Sequence, residues 1–320
     1  MKDLYPIKIS YVAKSRIWGG YNLTEMFGKD NGGENIGETW ELTVRDDEMS
    51  HILNGKYQGM TLGEFIEKDK SVLGTKYNGG RFPLLIKFID SKDKLSVQVH
   101  PDDEYALANE KDPGKTEMWY IVDAKPGAKI VYGLADGISK DDFAKAVADG
   151  NIGDAMGYMA VKKGETYFIP SGLLHAIGEG IIIAEIQQNS DLTYRVYDYD
   201  RRDAAGKKRE LHVEKSLDVV KPFSTAEIDA IRFEAKDEKD DADTLAHCRY
   251  FRVKHLDVGG EKVISVGADS FASVLCVSGK GSIACGGEKY DICGGDSFFI
   301  GAGSGDLLIC GSLEIILSTL

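Results

Sequence analysis

The sequence predicts an all-β sandwich or barrel fold with a few short helices. Apolar runs are mostly about five to eight residues long, and clusters of Gly and Asn/Asp punctuate them throughout. The chain has 320 residues, 42% of them hydrophobic, which is enough for two domains with their own cores. Strands are expected at Trp40–Val44, Pro83–Asp90, Leu95–His100, Met118–Val122, Thr166–Ile169 and Ile181–Gln187. A second set follows Phe251 and includes Phe271–Val277, Ser297–Ile300, Leu307–Cys310 and Leu313–Leu317. Three packing helices interrupt them. Thr61 and Glu64 have capping-box spacing ahead of Phe65 and Ile66. Ser139 caps a segment with Phe143, Ala146 and Val147 on one face, and Val213, Leu217 and Val220 recur at helical spacing.

Thirty-nine basic residues against 52 acidic ones give a net charge of −13, which argues against nucleic-acid binding. An anionic ligand would need a local basic site in so acidic a chain. No apolar run approaches the ~18 residues of a membrane span, and the N-terminus lacks a signal-peptide core, so a cytoplasmic protein is expected. All five cysteines lie after residue 247, none at CxxC spacing, and they read as reduced, small buried strand residues. Segment 235–245 is polar and charge-dense. It is read as part of a linker, 223–245, between an N-terminal body (1–222) and a C-terminal β domain (246–320); the alternative is an exposed loop inside one domain.

Candidate chemistry concentrates between residues 87 and 202. In Leu95-Ser96-Val97-Gln98-Val99-His100 the alternation of a strand puts Ser96, Gln98 and His100 on one face and the apolar residues on the other. That face suits a polar interior; a solvated face with an exposed His is the competing reading. Glu117 heads the apolar run Met118 to Val122 and needs a partner if buried, either a metal or Lys115. Gly164 to His175 has the spacing G-x5-P-x-G-x2-H, a tight turn followed by a strand presenting His175.

That last motif resembles the second motif of the cupin superfamily, whose jelly roll holds a metal inside. The resemblance implies two jelly-roll domains and metal ligands at Gln98, His100, Glu117 and His175, with Gln98 where cupins commonly have His. Ser-Val-Gln-Val-His-Pro-Asp-Asp, Ile17-Trp18-Gly19-Gly20, Ile36 to Leu42, Phe82 to Asp90 and Thr193-Tyr194-Arg195 together resemble the class I mannose-6-phosphate isomerases. The large helical insertion of that family's long form is absent, as in short bacterial members. The C-terminal Gly295 to Asp306 repeats the spacing of Gly164 to His175 without the His, so a second cupin domain lacking a metal is expected.

The resemblance implies metal-dependent interconversion of an aldose and a ketose phosphate through an enediol, with one Zn2+ per chain. Taken alone, two imidazoles and one carboxylate suit zinc and non-haem iron equally, so an iron-dependent dioxygenase and a non-catalytic sugar-phosphate sensor are the competing classes. The resemblance makes Arg195 catalytic. Its guanidinium is a poor base and fits better as a stabiliser of negative charge or an anchor for phosphate or hydroxyl. Lys115 and Lys87 are candidates for base or phosphate contact, a lysine near a metal being expected to have a lowered pKa. Glu185 and Asp191 are further acid–base options. Ser96 and Trp18 are candidates for substrate contact, although Trp18 also reads as a core residue. His51, His212, His247 and His255 carry no functional expectation, and Arg201–Arg202 and Lys207 to Arg209 read as a solvated loop able to add positive field. Oligomeric state is not readable from the sequence.

Overall fold

The computed structural model describes residues 4–46, 48–203, 205–238 and 240–320. Its architecture is mostly β. Two antiparallel sheets face each other in the first lobe. The six-stranded one runs Thr166–Ile169, Glu117–Ala124, Ile181–Gln188, Leu84–Ser91, Glu38–Leu42, Val12–Lys14. The five-stranded one runs Met156–Ala160, Lys129–Leu134, His175–Ala176, Val97–Val99, Tyr194–Tyr197.

Strands Leu84–Ser91 and Ile181–Gln188 are buried at every residue, because both faces of their sheet are covered. One face looks at the opposing sheet. The other meets the C-terminal lobe, where Phe168 packs on Phe251 and Phe82 on Phe271 at centroid distances of 6.3 and 5.4 Å. Tyr120 stacks on His255, and both hydrogen-bond Glu314, which also accepts from Ser278. His255, isolated in sequence, is thus a joint between lobes.

The second lobe is one seven-stranded sheet built on Arg252–Val266, Ala272–Cys285 and Gly305–Thr319, strands of 15, 14 and 15 residues. Gly260, Gly311 and Gly281 stand side by side across them. A Cβ on Gly281 would lie 2.0 Å from the Cys310 carbonyl oxygen, and Gly311 has φ 136°. This glycine row lets the sheet fold back on itself without losing its ladder. Leu307–Cys310 and Leu313–Leu317, expected as two strands, are therefore one. The folded sheet is filled by Val258, Val274, Ile283, Phe298, Ile309 and Ile315 among others. Strand Ile7–Ile9 completes it by pairing with Ser297–Phe299.

The expected capping box, Thr61/Glu64, is present, and the helix opened by Ser139 has one too, with Asp142. Three helices were not expected: Asn22–Phe27, Asp103–Asn109 and Thr225–Arg232. The last has a Ser224/Glu227 capping box in plain view in the sequence, inside the segment read as linker. The charge-dense stretch after it is fastened down. Asp240 bonds His247 and Arg252 at 2.9 Å each, Asp237 pairs with Arg252, Asp241 with Lys254 and Asp243 with Lys262. The five cysteines are unpaired, but only Cys248, Cys276 and Cys285 are buried; Cys293 is exposed and Cys310 half-buried, both on strands whose outer face is open.

Replacing Gly281 by Ala drives a methyl group into backbone, which cannot swing aside. The expected result is a loss of about 1–3 kcal/mol, read as a lower midpoint in thermal unfolding, with the apolar lobe the part that loosens.

Candidate metal centre and its cavity

The polar side chains expected to share a strand face do share one, and it points between the two sheets of the first lobe. His175 registers opposite Gln98 and Gln98 opposite Arg195, giving a row across three strands. Ser96 and His100 are buried on the same face, with Val97 and Val99 fully buried on the other. The facing sheet supplies a second row, Trp119–Glu185–Lys87–Trp40, in cross-strand register. Glu117 lies two residues before Trp119 and points the same way.

Three ligand atoms converge there. His100 Nε2 is 3.1 Å from His175 Nε2 and 3.2 Å from Glu117 Oε1, and His175 Nε2 is 3.9 Å from Glu117 Oε2. All three residues are at most 1% exposed. His175 Nδ1 donates to the Leu173 carbonyl at 2.8 Å, so its Nε2 carries a lone pair aimed at the cluster. Burial, with Lys115 adding to it, lowers His100 to about 3, and burial also lowers His175. Both rings are thus neutral, the form that binds metal. His100 Nδ1 has no hydrogen-bond partner. Two imidazole nitrogens and a carboxylate in one buried pocket fit a borderline divalent cation. Gln98, beside His175 in the row, faces the same space.

The charges around the cluster are paired in series. Lys115 Nζ lies 2.6 Å from Glu117 Oε1. Burial works to raise the Glu117 carboxyl, but Lys115 and His100 outweigh it and hold it well below the ordinary range. The Trp119 indole donates to both Glu117 (3.1 Å) and Glu185 (3.0 Å). Burial, and Glu117 after it, push Glu185 up. Lys87 Nζ sits 3.1 Å from Glu185 and 3.8 Å from Glu38. Glu38 in turn accepts from Arg16 (2.8 Å) and the Trp40 indole (2.9 Å). Burial opposes its ionisation, yet Lys87 and Arg16 prevail and bring it to about 2.

Lys87 corrects one expectation. Burial alone would lower its pKa as anticipated, but Glu185 and Glu38 outweigh burial and leave it above its ordinary value. Lys87 thus sits between two carboxylates that favour its charged form. Lys115, also offered as a base, is bound to the cluster's own carboxylate. Glu38 and Arg16 were missed. The signal for Glu38 was available: like Glu117, it is a carboxylate leading a buried strand, two residues before a Trp.

Lys87, Lys115, Glu185, Glu38 and Arg16 line a cavity of about 430 Å³ whose wall also includes Trp18, Ser96, Gln98, Asp191 and Arg195. Trp18 is 3% exposed, so it serves as core and cavity wall together. The Ser96 hydroxyl accepts from Arg195 Nε at 3.3 Å. Arg209, from the segment read as a solvated loop, also reaches this wall. His51 and His212 lie outside it, and His247 is held by Asp240 and Arg252.

Two outcomes follow from the neutral imidazoles. His175→Ala removes a converging ligand, and the purified variant should carry no bound metal by elemental analysis. The folded values of both histidines lie below the ordinary imidazole value of about 6.5, so the unfolded chain takes up the extra protons. The metal-free protein should then lose stability as pH falls from about 6.5 towards about 3. Thermal melts of chelated protein across that window check this, and a profile flat over it would mean the rings are charged when folded.

Comparison with known proteins agrees with this geometry. The family "Phosphomannose isomerase type I, catalytic domain" matches residues 6–118, and "Mannose-6-phosphate isomerase, cupin domain" matches 241–320. The chain is 41% identical over 256 residues to mannose-6-phosphate isomerase ManA of Bacillus subtilis, covering 80% of each chain. It is 43% identical over 215 residues, 67% of each, to mannose-6-phosphate isomerase of Streptococcus mutans. The crystal structure of the mannose 6-phosphate isomerase from Bacillus subtilis matches at a TM-score of 0.89 and 35% identity, over 98% of this chain and 99% of that one. On the family matches and the identity carried over most of its length, the chain belongs to the type I mannose-6-phosphate isomerases.

Proposed function

We propose that the cavity interconverts mannose 6-phosphate and fructose 6-phosphate, an aldose–ketose isomerisation that moves a proton between C1 and C2 through an enediol. The observation that carries this reading is the convergence of two neutral imidazoles and Glu117 beside a small cavity lined by both cations and carboxylates. His100, Glu117, His175 and Gln98 would hold one Zn2+. When bound, that ion supplies polarisation of the sugar carbonyl and of the enediolate oxygen.

The protein's own groups divide the remaining work. Arg195 is a neighbour of Gln98 across the strands and is half-buried, so its charge acts at short range on the enediolate. Its pKa is lowered by burial and then by Arg209, but a guanidinium stays charged and does not serve as the base. Lys87, kept charged between Glu185 and Glu38, orients a sugar oxygen by donating to it. Glu185, with Lys115 as the second candidate, would carry the proton. Burial moves the Glu185 carboxyl towards the working pH, which favours a group that both takes and returns a proton. Ser96 and Trp18 shape the sugar subsite.

Residues 1–222 are read as the catalytic unit, 246–320 as a second jelly roll without a metal, and 223–245 as their connection. Five unpaired thiols favour a reducing compartment, the cytoplasm. Among the described residues no helix is long and apolar enough to cross a membrane.

The test is a coupled assay with mannose 6-phosphate on purified protein, after chelation, and after zinc is restored. Turnover should vanish and return. Arg195→Ala should keep its metal and lose about 10²–10³ in kcat, the scale of a lost electrostatic donor. Full turnover in that variant would remove Arg195 from the reaction, and no turnover by the wild type with any metal would leave a sugar-phosphate-binding protein.

A further inference from the structure

His100, Glu117 and His175 sit on separate stretches of chain, and one turn touches all three. The turn runs from His100 to Asp103. The His100 carbonyl accepts from Gly172 N at 2.8 Å, at the bend ahead of His175. The Pro101 carbonyl accepts from Lys115 N at 3.0 Å, two residues ahead of Glu117. The two stretches approach closely there. A Cβ on Gly114 would lie 2.4 Å from Asp103 N, so a side chain at 114 would collide with backbone.

Asp103 is the hub of that turn. Its Oδ1 accepts from Gly114 N at 2.9 Å and from the Gln188 amide Nε2 at 3.1 Å, and its Oδ2 accepts from the Tyr250 hydroxyl at 2.8 Å. Tyr250 lies between strands Thr244–His247 and Arg252–Val266 of the C-terminal lobe. Gln188 in turn brackets Thr116, the residue before Glu117. Its Oε1 accepts from Thr116 N at 2.9 Å, and its own backbone N donates to the Thr116 carbonyl at 3.1 Å. A carboxylate accepts and does not donate, so Asp103 dictates which end of the Gln188 amide faces it. Nε2 turns to Asp103, and Oε1 is left for Thr116. Lys115, Thr116, Glu117 and Gln188 are all at most 7% exposed, so a bond lost among them is not made good by bulk water.

We infer that Asp103, held from the C-terminal lobe by Tyr250, is a positioning residue that fixes Glu117 for metal binding through Gln188 and the backbone of Gly114 to Thr116. The C-terminal lobe thereby does more than cover the six-stranded sheet. It sets the fit of a metal centre to which it lends no candidate ligand. A ligand whose place is fixed beforehand by outer hydrogen bonds loses less freedom on closing round a cation. The inference rests on the proposed metal set, with Glu117 in it, and is independent of the sugar.

The experiment is a competition for zinc between the protein and a chromophoric chelator, with no sugar present, beside the visible absorption of the cobalt-substituted protein. Asp103→Asn keeps the shape of the side chain but lets it donate, so the Gln188 amide is free to turn and leave Thr116 N without its acceptor. That variant should lose about tenfold to a hundredfold in zinc affinity and shift the cobalt bands. Tyr250→Phe removes one hydroxyl and keeps the ring, and should move both readouts the same way by a smaller factor. Because Tyr250 acts through Asp103, the double variant should lose no more than Asp103→Asn alone. Wild-type zinc affinity and cobalt bands in Asp103→Asn would overturn the inference even if its thermal midpoint drops, since that marks a structural role. Additive losses in the double variant would overturn the route from the C-terminal lobe. If Asp103→Asn does not fold, Tyr250→Phe decides alone, with wild-type affinity and bands as the refuting result. Weakened zinc binding in the variants of a protein that turns over no mannose 6-phosphate would end the isomerase reading and leave the positioning role standing.

Discussion

A buried carboxylate must be paired, and in this protein one such requirement propagates through a whole lobe. Glu117 is 1% exposed and draws in Lys115, the two imidazoles and the Trp119 indole. The indole shares its proton with Glu185, Glu185 requires Lys87, Lys87 requires Glu38, and Glu38 reaches Arg16 near the surface. The charges are balanced, three carboxylates to three cations, so each holds the next. Breaking any link leaves an unpaired charge in low dielectric, an expensive defect. The same chain favours the charged form of Lys87, which lies between Glu185 and Glu38.

The second lobe meets the opposite demand. The six-stranded sheet is apolar on its outer face, and a half-covered sheet of that kind would expose Phe82, Tyr120 and Phe168 to water. The C-terminal sheet covers them with Phe251, His255 and Phe271. Its own interior packs apolar side chains, Val258, Phe298 and Ile315 among them. The lobe therefore backs the strand that carries Glu117, with Tyr120 and Glu314 tying the two together.

Much of this was legible in sequence, and the reasons are local. Alternation in Leu95 to His100 put three polar residues on one face, and spacing around Gly164 to His175 presented the second imidazole. The capping box at Thr61 and the cap at Ser139 gave two helices. The failures are of two kinds. The Ser224/Glu227 box was hidden by the acidic composition around it, and composition is a weaker witness than a cap. The pairing of Lys87 with Glu38, and the reach of Arg209 from a loop, join residues far apart in the chain. Alternation tells which way a side chain points, but not what it meets. The bend at Gly311 misled in the same way: a glycine pair of turn-like residues reads as a break, while neighbouring glycines on the next strands make it a fold in a continuous ladder.

The N-terminal strand Ile7–Ile9 has its partner at Ser297–Phe299, almost the full length of the chain away. During synthesis that segment is made long before its partner and stays unpaired until Ser297 to Phe299 emerge. Its two isoleucines, 1% and 4% exposed in the finished protein, stay uncovered over that interval. Closing so large a loop is slow compared with forming local hairpins. A strand made early thus settles late, and its docking ties Ile7–Ile9 to the C-terminal lobe across some of the largest sequence separations in the fold.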